Sequence, residues 1–277
     1  MFLFFGCESE DHPTTIEEAF QIPEGVKEPL AFAYMIHDVE GIVFNNLFEL
    51  YEHDRGTAAT HEEYNIFNGR GACAIQTFNP VSNELILSFG AGCTDDNQNL
   101  RKGLMTVHYT DPEDGIGNEI TIDLEQFFFN SLGLNGQIKI INTSQVQSSR
   151  DKSYEIVFTN LELFIDSEKS EFSGKRMIDY SKEDGRDFET TTMDYHTQND
   201  FDYITEGGYF NLETSSTNYT RLGCWFNGFF QPSIGKELIT SSKRNIEIDY
   251  GTGGCNYILN LTFDNKEPRT FDLSAIL

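Results

Sequence analysis

Basic side chains are scarce. Nineteen lysines and arginines stand against 45 aspartates and glutamates, a formal charge of −26. A chain so short of cations does not neutralise rows of phosphates, which excludes nucleic acid as a partner, and it is repelled by an anionic membrane surface. Long hydrophobic runs are missing too: no stretch approaches the ~20 apolar residues of a membrane-crossing helix. Catalytic signatures are missing as well. There is no Gly-x-Ser-x-Gly elbow and no Walker loop, and Gly90-x-Gly92 lacks the third glycine and following helix of a dinucleotide site. His61-Glu62-Glu63 begins like a zinc-protease helix, but the second histidine falls on Asn65. No Cys-x-x-Cys or Cys/His cluster marks a metal centre, and Asp111-x-Glu113-x-Gly115 places its glycine one position too early for an EF-hand. No cofactor is expected. The acidic excess reads as a solvated exterior, with calcium the one ion it could hold.

Tryptophan occurs once, whereas phenylalanine occurs 24 times and tyrosine 12 times, a balance that suits sheets. One phrase recurs. Glu84-Leu-Ile-Leu-Ser-Phe-Gly-Ala-Gly-Cys93 is answered by Asn245-Ile-Glu-Ile-Asp-Tyr-Gly-Thr-Gly-Gly-Cys255. Leu85, Leu87 and Phe89 alternate with mostly polar residues, as do Ile246, Ile248 and Tyr250, so each phrase predicts a strand with one face in a core. The glycines that follow allow positive φ or close backbone approach. The likeness extends outward: Cys73 precedes Phe78-Asn79-Pro80 as Cys224 precedes Phe230-Gln231-Pro232, and Leu104 to Tyr109 answers Tyr257 to Phe263. A polar turn and a closing strand, Ile120–Leu124 or Arg269–Leu273, complete each copy. Two units, about 71–124 and 222–273, are therefore expected to be related, the alternative being that glycine-ended strands look alike in any all-β protein. Between them, Phe127 to Ile140, Tyr154–Phe158 and Leu161–Ile165 read as strands, and Glu206-Gly-Gly-Tyr209 as a two-residue hairpin signal. Ser181 to Asp200 is polar and poor in aliphatics, which predicts a long exposed excursion.

One helix is expected, over 30–54. Phe32, Ile36, Val39, Val43, Leu47 and Leu50 recur at spacings of three and four, Pro29 suits the first turn, and Gly56 lies beyond the end. Gly41 admits a break. The stripe is expected to pack on the sheet, the alternative being a partner-binding surface. The whole then reads as a mainly β protein: an antiparallel β-sandwich, or a barrel-like closure, of two related halves, with one N-terminal amphipathic helix packed on it. Residues 29–277 form this single β-rich domain.

The N-terminus points to export. Met1 to Gly6 is apolar and looks like the tail of a signal peptide. Phe4-Phe-Gly-Cys7 resembles a bacterial lipobox, in which the cysteine takes the lipid, and Glu8-Ser-Glu-Asp11 resembles a surface-export signal of Bacteroidetes lipoproteins. Residues 8–28 follow as an acidic tether. The order of features (Cys7, an apolar helix, a strand ending Phe-Gly-x-Gly-Cys, Arg101-x-Gly103 before a strand ending in Tyr109, and Asp249-Tyr-Gly-x-Gly before Cys255) resembles a family of uncharacterised Bacteroidetes cell-envelope lipoproteins. The resemblance implies a lipid-anchored protein of the outer membrane, at the cell surface or facing the periplasm, and implies no activity.

With Cys7 lipidated, four cysteines remain in an exported protein, enough for two disulfides. The repeat favours Cys73–Cys93 and Cys224–Cys255; the other two connectivities, and four free thiols, are the alternatives. The expected function is a non-catalytic surface protein binding a protein or glycan, through an aromatic patch near Trp225 and Phe226 or near Phe127 and Phe129. The alternative is a glycan-processing enzyme or its accessory subunit, since such chemistry needs only two carboxylates.

Overall fold

A computed structural model describes residues 22–23, 25–55, 71–95, 98–110, 118–144, 152–182, 193–221, 232–254, 256–264 and 266–272. Among them are one helix, α1 (Lys27–Arg55), and thirteen strands. These are β1 (Ile75–Asn79), β2 (Glu84–Thr94), β3 (Leu100–Tyr109), β4 (Glu119–Phe129), β5 (Leu132–Asn142), β6 (Lys152–Ile165) and β7 (Glu168–Lys182). They continue with β8 (Met193–Thr205), β9 (Gly208–Arg221), β10 (Ile234–Ser241), β11 (Asn245–Thr252), β12 (Ile258–Phe263) and β13 (Arg269–Asp272).

Every strand pairs antiparallel with its neighbours in sequence, giving one sheet in the order β1 to β13. The mainly β architecture with a single N-terminal helix is thus the one the pattern predicts. Its strands make one continuous sheet where two stacked sheets were expected, and β1 and β13 are left unpaired with each other, so the sheet stays open.

The two phrases that recur in the sequence, on β2 and β11, lie toward opposite ends of this sheet. Leu85, Leu87 and Phe89 on β2 are buried, as are Ile246, Ile248 and Tyr250 on β11. Gly90 and Gly251 both take positive φ, +56° and +91°, where each strand departs from its regular course. The hairpins leading into them also agree: Asn79 pairs with Glu84 and Thr240 with Asn245, each across four residues.

The helix explains how one sheet makes a core. Ile36, His37, Asp38, Val39 and Glu40 are five consecutive residues at 100° apart, and all are at most 2% exposed. The helix is therefore covered around its whole circumference, so the sheet coils about it. Phe32, Ile36, Val39, Val43 and Leu47 of the predicted stripe are buried, but so are Met35, Ile42 and Phe44 off it. This corrects the amphipathic reading: α1 is a central core helix, and it runs unbroken through Gly41. Leu50's side chain lies outside the described residues.

Two strands that the sequence separates are one. Tyr154–Phe158 and Leu161–Ile165 both belong to β6, joined through a bulge where Asn160 takes φ +49°. The expected excursion from Ser181 to Asp200 is strand at both ends, where β7 reaches Lys182 and β8 starts at Met193; residues 183–192 lie outside the described residues. The inward residues there, Thr197 and Asn199, are buried and polar, so no apolar alternation announces them.

The helix has a fixed direction in the sheet. Tight two-residue turns close β4–β5, β6–β7 and β8–β9 at one rim. The start of α1 lies at that rim, where Tyr203 Oη donates to Gly25 O and Lys27 Nζ is 3.9 Å from Asp166 Oδ2. Phe44 packs on Tyr154 toward the other rim. There the chain leaves β3, β5, β7 and β9.

Candidate functional site

The inner face of the sheet is apolar above and below a polar belt. Toward the start of the helix, Phe32 stacks on Phe172 at 4.0 Å, Phe172 on Tyr203 at 5.2 Å and Tyr203 on Phe210 at 5.1 Å. Phe158 and Phe201 meet Phe32 edge-on. Toward the helix's other end lie Ile42, Val43 and Leu47. Between these layers the helix presents His37, Asp38 and Glu40, and the sheet answers with charges of its own.

On one side Arg101 of β3 grips Asp38 with two parallel hydrogen bonds, Nε to Oδ2 at 2.9 Å and Nη2 to Oδ1 at 2.6 Å. Its Nη1 donates to Asp95 Oδ2 at 2.6 Å, and the guanidinium lies 4.7 Å from the Phe129 ring centroid. Burial opposes the charge on Arg101, but Asp38 and then Asp95 outweigh it, so the guanidinium is held more firmly protonated than usual. Burial likewise opposes the charge on Asp95, yet the hydrogen bonds from Arg101 and Asn99 hold its carboxyl below the ordinary carboxylate range.

On the other side Arg176 of β7 donates from Nη2 to His37 Nε2 at 2.6 Å. Arginine only donates, so Nε2 must be the unprotonated nitrogen, and Nδ1, 3.5 Å from Glu40 Oε2, carries the hydrogen. Arg176 Nε is 3.8 Å from Glu40 Oε1. Arg176 is also the cross-strand partner of Asn199, whose Nδ2 donates to Glu237 Oε1 at 2.6 Å. Glu237 accepts two further hydrogen bonds, from Asn218 Nδ2 and from Tyr250 Oη, both at 2.6 Å. Burial, followed by the Glu237 charge, pushes the Tyr250 phenol well above its usual range.

This belt is a structural device. Sliding the helix by one turn, ~5.4 Å, would part Asp38 from Arg101 and strand both charges in a dry interior. The belt therefore sets the helix's position along its axis; Asp38, Asp95 and Glu237 accept hydrogen bonds from arginine, amide and phenol partners, and Glu40 lies in ion-pair range of Arg176. Among the described residues no group of three or more histidine, cysteine, aspartate or glutamate side chains could hold a metal ion.

The residues singled out from the sequence separate sharply. Cys73 and Cys93 form a disulfide joining the approach to β1 with the end of β2. Cys7, Cys224, Cys255, Trp225 and Phe226 lie outside the described residues. Phe127 and Phe129 are at most 1% exposed, which corrects their assignment to a surface patch: both point inward on β4. Phe128 between them faces outward and is half-buried. No sequence motif marks the belt, because His37, Arg101, Arg176 and Glu237 are far apart in the chain and share no spacing; the one local signal is the charged residues inside an otherwise apolar helix. No helix among the described residues is long and apolar enough to cross a membrane. No protein-family model, curated protein or solved structure matches the chain.

Proposed function

We propose that this is an exported, lipid-anchored, non-catalytic protein of the bacterial outer membrane, which binds a protein or glycan partner through the outer surface of its sheet. The observation that carries the reading is the enclosed helix. A curled sheet with an empty concave face offers a cavity for a substrate, but here α1 fills that face and its polar belt engages the inward carboxylates. Recognition is left to the outer face and the rims. The Cys73–Cys93 disulfide supports export, since such bonds persist in oxidising compartments. The entry of the chain at the tight-turn rim suits a tether that leaves the outer face unobstructed.

The test is lipidation. The full-length gene, expressed in a Bacteroidetes host with a clickable fatty-acid analogue, is expected to yield a labelled protein in the outer-membrane fraction. Cys7→Ser should abolish the label. Label retained in that variant, or a wild-type protein that takes none, would overturn the anchor.

A further inference from the structure

We infer that the outer face of β4, β5 and β6 carries a platform for a neutral glycan, built on Phe128 and Phe164. The inference rests on the reading of an exported binding protein and names its ligand class. Phe128 pairs across the sheet with Gly133, and Gly133 with Phe164, so two phenylalanines flank a position that has no side chain. They stand two strand spacings apart, about 10 Å. Both are half-buried, whereas their inward neighbours Phe127, Phe129, Leu163 and Ile165 belong to the core.

Gly133 shows how the first ring is seated. Its backbone has no positive φ, so the conformation does not call for glycine. Space does: a Cβ there would stand 2.7 Å from Cε1 and 3.2 Å from Cζ of Phe128. The ring therefore lies against the glycine, in the space a side chain there would take, and stays half-buried. Gly133 is buried for that reason, although it faces outward.

An ordered polar row runs beside the rings. Glu162, two residues from Phe164 on the same face, accepts from Asn135 Nδ2 at 3.1 Å and from Lys169 Nζ at 3.0 Å. Lys169 also donates to Glu171 at 2.9 Å, and Asn135 Oδ1 accepts from the Gln126 amide at 3.3 Å. Flat apolar rings beside fixed amide, carboxylate and ammonium groups match a sugar, which has an apolar C–H face and a rim of hydroxyls. The net charge of −26 disfavours sulfated or uronic chains, leaving neutral ones. A protein partner fits less well. An ordinary protein interface takes ~800 Å² from each side around an apolar centre, which two half-buried rings do not supply.

The test uses the otherwise full chain carrying Cys7→Ser, run in native gels cast with a mannan, a xylan, a β-glucan or an α-glucan. At least one polysaccharide is expected to retard it. Phe164→Ala and Phe128→Ala should each weaken that retardation about tenfold. Gly133→Val, which displaces the ring, should do the same, while Lys139→Ala, elsewhere on the outer face, should not. Melting temperatures of the two alanine variants should stay close to the parent's, so that lost binding is not lost fold. Retardation in none of the four gels, or retardation that Phe164→Ala leaves intact, would overturn the platform. Cross-linking to an envelope protein that Phe164→Ala abolishes, with no polysaccharide bound, would overturn it in favour of a protein partner. Labelling at Cys7 reads the anchor separately from all of these.

Discussion

Arg101 is among the largest fully buried side chains of the protein, 1% exposed, and it neutralises carboxylates from two places far apart in the chain, Asp38 and Asp95. Replacing a buried ion pair whole can be nearly neutral, but removing one partner leaves a charge that water does not reach. Arg101→Met should therefore cost about 3–5 kcal/mol in a urea titration. A loss below about 1 kcal/mol, the range of exposed pairs, would mean that solvent enters the belt. Glu28 presents the opposite case. Burial, only partly offset by backbone hydrogen bonds, including one from the Gly25 amide at 3.1 Å, raises its pKa above the ordinary value. A raised folded-state pKa favours folding below the unfolded value, and that contribution is lost as pH rises through the folded value. Glu28→Gln should raise the melting temperature at about pH 7 and leave it unchanged at about pH 3, below the ordinary glutamate pKa. An equal gain at both would assign the effect to packing.

At the scale of elements, the helix separates what the sequence shows from what it hides. Its position and type were legible, because Phe32, Ile36, Val39, Val43 and Leu47 repeat at helical spacing and all are buried. Its surroundings were not. A sheet that coils about a helix buries the polar side of it too, and His37, Asp38 and Glu40 look like a solvated face until Arg101 and Arg176 are brought in from β3 and β7. The same masking hid the first part of β8, whose inward Thr197 and Asn199 give no apolar alternation, whereas its end was legible from the Glu206–Tyr209 hairpin signal. In the opposite sense, the run from Phe127 to Phe129 looked like a patch, although strand alternation sends its first and third rings inward and only the second outward. Charge introduced off the predicted stripe should be as damaging as charge on it. Ile42→Asp and Leu47→Asp should each cost several kcal/mol in thermal or urea unfolding. Tolerance of Ile42→Asp alone would restore an amphipathic helix lying on an open sheet.

At the scale of the whole molecule, the thirteen sequentially paired strands among the described residues make a topology of near-neighbour contacts, with the two phrases that recur in the sequence at its two ends. The Cys73–Cys93 link closes a separation of 20 residues at one end, a loop for which the chain-entropy relation gives about 3 kcal/mol. The other end carries the corresponding glycines, Gly251 and Gly253, at positive φ. Between those ends the sheet is held in its curl by the helix it encloses, and the proposed binding from outside rests on that inner face being filled. Native-state hydrogen exchange, resolved by peptide, tests that claim most directly. Amides of α1 from Leu30 to Leu47 should exchange as slowly as those of β6 and β7, through global unfolding alone. Exchange of the helix well ahead of those strands would show it leaving the sheet while the sheet stays folded, which would open the interior to a ligand and contradict the account.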